Sequence, residues 1–84
     1  EAIEKLVSDI LNITRIVKSR GDNPKKVYVY VLPKELDIYK SEKDSIGLRV
    51  GLDLHFYSVN DKNKYNPHNK SKSAKPGKPA IYLE

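Results

Sequence analysis

The sequence has 84 residues, enough for one small domain with a single core, and a formal net charge of +5. It contains no cysteine, which excludes a disulfide framework or thiolate metal site, and no apolar run of the ~20 residues that a membrane helix needs. No signal peptide opens the chain, so we expect a cytoplasmic protein. Because the sequence has no methionine and begins within a helical pattern, we also expect a fragment of a longer protein.

The first predicted element is an amphipathic helix over residues 1–18. Gly21-Asp22-Asn23-Pro24 is expected to end it. Leu11 and Ile16 widen its apolar stripe, which we expect to pack on a sheet. The stripe recurs at helical spacing and consists of Ile3, Leu6, Val7, Ile10, Ile13 and Val17.

Two strands are predicted next, joined by a short crossover helix over residues 34–43. Residues 27–32 alternate valine with tyrosine or leucine and have no polar face, which indicates a central strand. Residues 48–56 alternate again, and we expect their apolar side chains to point inward. The two strands are expected to run parallel with a right-handed crossover. The inward positions of the second strand are Leu48, Val50, Leu52, Leu54 and Phe56.

Residues 59–78 have the composition of a loop and contain all of the net charge. They contain six lysines and one acid, Asp61, whereas the other 64 residues contain ten basic and ten acidic side chains. A loop of this length is usually functional or disordered. Residues 80–83 form a last apolar strand that fastens the far end of this loop.

The predicted fold is therefore α/β (α+β), with one domain spanning residues 1–84. An N-terminal amphipathic helix packs on a small three-stranded mixed sheet, and a long basic loop precedes the last strand. The predicted core consists of Ile3, Leu6, Val7, Ile10, Val29, Val31, Val50, Leu52, Leu54 and Ile81.

The basic loop is the main functional signal. Lysines interleaved with Tyr65 and His68 suit RNA, because the lysines can hold phosphates while an aromatic ring stacks on an unpaired base. The same composition also fits a solvated loop whose lysines only confer solubility. A protein-interaction or structural module, with lysines that guard an exposed strand edge, remains the alternative.

The sequence offers few residues suited to a metal site or to catalysis. Asp53 and His55 share one predicted strand face, but two ligands without a third favour a cross-strand or surface pair over a metal site. The acids are scattered, and the sequence has no glycine-rich phosphate loop and no nucleophile elbow. We therefore expect no catalytic residue and no cofactor in these 84 residues.

Residues 75–84, Lys-Pro-Gly-Lys-Pro-Ala-Ile-Tyr-Leu-Glu, form the most specific motif. They resemble the extreme C-terminus of archaeal-type leucyl-tRNA synthetases, which are class I aminoacyl-tRNA synthetases. In that family a Pro-x-Lys-Pro-Ala stretch leads into an apolar strand ending in Glu. The helix of residues 1–18 and the strand of residues 25–33 are similar to the same family in the same order.

The resemblance implies a C-terminal domain that contacts the long variable arm of leucine tRNA and aids tRNA selection. Loop lysines would hold phosphates, and the last two residues would meet bases at the tip of the arm. The implied RNA-binding residues are Lys62, Lys64, Tyr65, His68, Lys70, Lys72, Lys75, Lys78, Leu83 and Glu84.

The ligase activity, with its ATP and Mg²⁺, would belong to the parent leucine–tRNA ligase, because the ATP-binding signatures are absent here. The expected partners are leucine tRNA and the other domains of the parent enzyme, and the fragment itself is expected to be a monomer without membrane contact. The family often has a helical insertion after its tyrosine-rich strand. Residues 34–47 are too short to contain it, so RNA contacts from that insertion do not transfer.

Overall fold

In the computed structural model, which describes residues 2–84, a three-stranded mixed sheet lies between a layer of helices and a long irregular segment. Single 3-10 turns form at Pro33–Glu35 and Lys70–Ser73. The elements are α1 (Ala2–Ser19), β1 (Lys26–Val31), α2 (Leu36–Ser41), α3 (Lys43–Val50), β2 (Asp53–Ser58) and β3 (Ala80–Leu83).

The sheet has the order β2-β1-β3, so the predicted central position of β1 is confirmed. β1 and β2 run parallel, with Val29 opposite Phe56, and the predicted crossover between them contains α2 and α3. β3 pairs antiparallel with β1, with Val29 opposite Ile81. The α+β architecture predicted from the sequence is thus confirmed.

The predicted N-terminal helix is also confirmed, although Glu1 lies outside the described residues and the buried stripe is narrower than expected. Leu6, Val7 and Ile10 are buried, whereas Leu11 and Ile16 are exposed. One turn beyond Ile10, the buried position is filled by Thr14, whose hydroxyl donates to the Ile10 carbonyl oxygen at 2.7 Å. This local bond satisfies the hydroxyl, whose burial without a partner would destabilise the fold.

The prediction of a strand beginning at Leu48 is wrong. Residues 48–50 belong to α3, where Ile46 and Val50 lie four residues apart and are both buried, while Leu48 is 87% exposed. Helical spacing puts residues i and i+4 on one face, so the alternation of leucine and valine here is coincidental. Gly51 ends the helix with φ of 71°, a left-handed conformation that favours glycine, and β2 begins two residues later.

The apolar core lies between the helices and one face of the sheet. Seven of the ten predicted core residues are buried there, and Ile3, Leu52 and Ile81 pack against it half-buried. The prediction omitted three fully buried members: Val27 of the first predicted strand, and Tyr39 and Ile46, whose region it assigned to a weak helix and a connecting loop.

Candidate nucleic-acid interface

The second face of the sheet is covered by residues 59–78, here called the basic segment. Outward alternation along the strands brings tyrosines to this face, which we call the tyrosine face. Val59 and Ala74 of the basic segment pack against it. Its residues are Tyr28, Tyr30, Tyr57, Tyr82 and Ala80.

Hydrogen bonds fasten the basic segment to the sheet and to the crossover. At its start, the Val59 N–H donates to the Val31 carbonyl oxygen at 2.9 Å. In its middle, the buried Tyr30 hydroxyl donates to the Tyr65 carbonyl oxygen. Near its end, the Gly77 N–H donates to Glu35 Oε2 at 2.9 Å. The segment is therefore an ordered layer rather than a loop held only at its two ends.

Two local motifs shape the outer surface of the basic segment. Ser71 is buried, where its hydroxyl accepts a hydrogen bond from Asn66 Nδ2 at 2.8 Å, and the 3-10 turn Lys70–Ser73 forms around it. Lys75 and Lys78 exchange backbone hydrogen bonds of 3.0 and 2.8 Å across a tight turn. Gly77, with φ of 69°, permits that turn because its conformation is left-handed.

The lysines of the basic segment carry an unneutralised charge. Five of the six are exposed, and Lys64 is half-buried with its Nζ donating to the Asp61 carbonyl oxygen at 3.3 Å. Within residues 2–84, none of the six forms an ion pair with a carboxylate. Unpaired cations on an ordered surface attract polyanions, and the exposed lysines are Lys62, Lys70, Lys72, Lys75 and Lys78.

The predicted stacking groups Tyr65 and His68 lie against the protein's own aromatic rings. The Tyr65 ring is centred 4.7 Å from that of Tyr28, and the His68 ring is 5.1 Å from that of Tyr82. Tyr65 nevertheless remains 41% exposed, so part of its ring faces solvent. These two side chains and Glu84 meet at one place on the tyrosine face.

Glu84 is the hydrogen-bond acceptor at this place. Tyr65 Oη donates to Glu84 Oε2 at 2.5 Å, and Tyr82 Oη donates to the same oxygen at 3.1 Å. The bond from Tyr65 holds the pKa of the Glu84 carboxyl below its usual value. The same bond, followed by desolvation, raises the pKa of Tyr65 to about 12. An ionised carboxylate and a protonated phenol thus stabilise each other over the neutral pH range.

Leu83 lies on the opposite face from this group. It is half-buried and packs against the apolar core, while the backbone of Glu84 continues the pairing with β1 through Lys26. The structure therefore brings Tyr65, His68 and Glu84 together but separates Leu83 from them. Of the predicted RNA-binding residues, Leu83 is the one whose side chain serves the core.

Sequence reasoning missed the residues that hold the basic segment in place. The alternation of residues 27–32 indicated that Tyr28 and Tyr30 share a face, but nothing indicated that residues 59–78 cover that face. No sequence pattern indicated a role for Glu35, because its hydrogen-bond partner is a backbone N–H 42 residues away. Such partners are set by the tertiary fold.

The histidine–aspartate pair on β2 is the surface pair expected from the sequence, with His55 Nε2 3.1 Å from Asp53 Oδ2. Within residues 2–84, no group of three potential ligands is arranged to hold a metal ion. In the same part of the chain, every helix is too short or too polar to cross a bilayer.

The chain matches no protein-family model, no curated protein and no solved structure.

Proposed function

We propose that this domain binds RNA through the basic segment, with leucine tRNA as the ligand and its long variable arm as the contacted region. The observation that carries the proposal is the set of six lysines that form no ion pair within residues 2–84, on a segment fastened to the sheet. A segment that is already ordered loses less conformational entropy on binding than a free tail. Lysines position the RNA backbone, and they do so without reading sequence.

Within this proposal, Tyr65, His68 and Glu84 form the part that contacts bases. Tyr65 presents a partly exposed ring beside an ionised carboxylate, which accepts hydrogen bonds from base amino groups. The sequence resemblance supplies the biological setting. The chain would serve as the C-terminal domain of a cytoplasmic leucine–tRNA ligase, and it would add affinity and tRNA selection to catalysis elsewhere in that enzyme.

The first test is a charge-matched pair of variants. One variant replaces Lys70, Lys72, Lys75 and Lys78 with alanine, and its control replaces the exposed lysines Lys18, Lys34, Lys40 and Lys43. Both carry a formal net charge of +1, four below the original +5. We expect only the first to lose affinity for leucine tRNA, with the slope of log K against log salt reduced by roughly 3, about 0.7–0.9 per phosphate contact.

The measurement is fluorescence anisotropy with labelled leucine tRNA, and with a tRNA lacking a long variable arm, over a salt series. Preferential binding of leucine tRNA supports the proposed role in tRNA selection. Equal losses in the two quadruple variants would mean that net charge alone drives binding. The basic segment would then have no assigned role in RNA binding.

A second role, docking on another protein, is favoured by one specific observation on the far side of the molecule. Leu48 and Ile38 are 87% and 59% exposed, and β2 has an open edge because, within the described residues, it pairs only with β1. In a multidomain enzyme this side would face neighbouring domains. RNA-induced chemical-shift changes at Leu48 rather than at residues 59–78 would reverse this assignment of surfaces.

A further inference from the structure

A polar groove of about 470 Å³ runs along the outer edge of β3, between α1 and the basic segment. Its wall on α1 consists of Lys5, Asp9, Asn12 and Ile13, which lie on one side of the helix. Lys70 and Lys78 contribute from the basic segment. Three lysines and one acid give the groove a formal charge of +2, and this charge comes from two separate layers of the fold.

A hydrogen bond on α1 determines which donors Asn12 offers to the groove. Arg15 Nη2 donates to Asn12 Oδ1, which leaves the amide hydrogens of Asn12 Nδ2 as its unused donors. Among the described residues no protein atom accepts from them. The same bond brings the guanidinium charge of Arg15 beside the groove. Lys5 pairs with Asp9 at 3.5 Å, while Lys70 and Lys78 have no carboxylate partner in residues 2–84.

The edge of β3 adds a backbone donor. Lys26 and Glu84 exchange both backbone hydrogen bonds, so alternate pairs along β1 and β3 are bonded and the pairs between them are not. Ile81 is opposite Val29 in one of the non-bonded pairs, which directs its N–H and carbonyl away from β1 and toward the groove. An N–H here suits a phosphate oxygen, and the carbonyl suits a ribose 2′-hydroxyl.

We propose that this groove extends the RNA-binding surface beyond the basic segment, and that it holds the phosphodiester backbone between Lys5 and Asn12 of α1 and Lys70 and Lys78 of the basic segment. The inference rests on the proposed function and extends the RNA footprint to the N-terminal helix, from which the sequence suggested no contact. Asp9 opposes this binding, because a carboxylate in the groove repels phosphate and competes for Lys5.

The test uses the full chain and an RNA hairpin with the sequence of a leucine-tRNA variable arm. Lys5→Ala is compared with Lys40→Ala, which removes the same charge from the exposed side of α2. We expect Lys5→Ala to weaken binding and reduce the salt slope by about 0.7–0.9, and Lys40→Ala to leave the slope unchanged. Lys72→Ala, an exposed change in the basic segment outside the groove, reports on the proposed function independently.

Asp9→Asn supplies a variant whose effect is opposite in sign. Removing the acid should strengthen hairpin binding, whereas Asp37→Asn on α2 should not, and a variant damaged in folding would not gain affinity. In wild-type protein, saturating hairpin should shift the ¹⁵N–¹H peaks of the Asn12 side-chain amide and the Ile81 backbone amide.

The outcomes separate the two proposals. If Lys72→Ala weakens binding while Lys5→Ala and Asp9→Asn behave as wild type and the Asn12 amide does not shift, the groove inference is overturned and the proposed function stands. If the wild-type domain binds neither the hairpin nor leucine tRNA, both are overturned.

Discussion

Tyr65 helps to fasten the basic segment through its backbone and belongs to the candidate base-contacting group through its side chain. Its carbonyl oxygen accepts from the buried Tyr30, its hydroxyl donates to Glu84, and its ring lies over Tyr28 while remaining partly exposed. The hydroxyl bond is strongest with the phenol protonated and the carboxylate ionised. The pKa of Tyr65 is accordingly raised to about 12, and that of Glu84 is lowered from 4.5.

These shifts predict how the bond between Tyr65 and Glu84 depends on pH. The Glu84 carboxyl has a lowered pKa in the folded protein, so its stabilisation is present above 4.5 and disappears as pH falls through the folded-state pKa. The Tyr65 phenol has a raised pKa, so its stabilisation is present below 10.0 and disappears as pH rises toward about 12. Tyr65→Phe should therefore be less stable than wild type at neutral pH, and this difference should shrink at both extremes.

Two measurements check this prediction. Urea unfolding of wild type and Tyr65→Phe across the pH range gives the stability difference, and an NMR titration of the Glu84 side-chain carboxyl gives its pKa. In the variant that pKa should rise toward 4.5, because its largest lowering contribution is gone. An unchanged Glu84 titration would show that Tyr65 does not hold the carboxylate in solution. Tyr57→Phe, on the same face, serves as the control.

At the scale of elements, the connection between α3 and β2 illustrates where sequence patterns are ambiguous. Residues 46–56 contain apolar residues that satisfy a period of two from Leu48 and a helical period through Ile46 and Val50. Before Gly51 burial follows the helical period, through Ile46 and Val50, and after it burial follows the strand period, through Leu54 and Phe56. A short amphipathic helix joined to a strand by a glycine can thus be mistaken for one long strand.

This assignment predicts opposite outcomes for two neighbouring substitutions. Leu48→Glu should change the free energy of unfolding by less than about 0.5 kcal/mol, because the side chain is exposed in the helix. Ile46→Ala should cost about 2–5 kcal/mol, because its fully buried side chain would leave a cavity. Urea denaturation followed by circular dichroism measures both. A severe loss in Leu48→Glu with little effect in Ile46→Ala would restore the strand interpretation.

Elements with one unambiguous period were predictable from the sequence. The helical stripe of α1, the valine–tyrosine alternation of β1 and the short apolar run of β3 each fit one structure, and their bounds agree within a residue or two. The charge of the candidate site was also evident, because charge is a property of composition. The position of the basic segment was not, since it depends on contacts such as Tyr30 to Tyr65 and Glu35 to Gly77, 35 and 42 residues apart.

At the scale of the whole molecule, the two faces of the sheet pack against different layers. The valines of β1 face the helices and form the apolar core, while its tyrosines face the basic segment. Tyr30 is the most deeply buried residue of the tyrosine face, and burial raises its pKa to about 12. Its hydroxyl therefore remains a protonated donor to the Tyr65 carbonyl oxygen at physiological pH.

Tyr30→Phe tests whether the order of the basic segment contributes to the proposed RNA binding separately from the charge of its lysines. The substitution keeps the ring and every lysine but leaves the Tyr65 carbonyl oxygen without this donor, at a cost of about 1–2 kcal/mol in the free energy of unfolding. We expect faster amide exchange across residues 59–78 and weaker binding of leucine tRNA, because the segment must then be ordered on binding. The slope of log K against log salt should remain at its wild-type value, since the number of phosphate contacts is unchanged.

The lysine variants should instead lower affinity and slope together. Amide exchange measured by NMR, urea unfolding and a binding series in salt therefore distinguish loss of order from loss of charge. Faster exchange in Tyr30→Phe with wild-type affinity would mean that the ordered state of the basic segment contributes nothing to RNA recognition. The lysines would then act as a flexible polycation, and the layered arrangement would serve only to cover the tyrosine face.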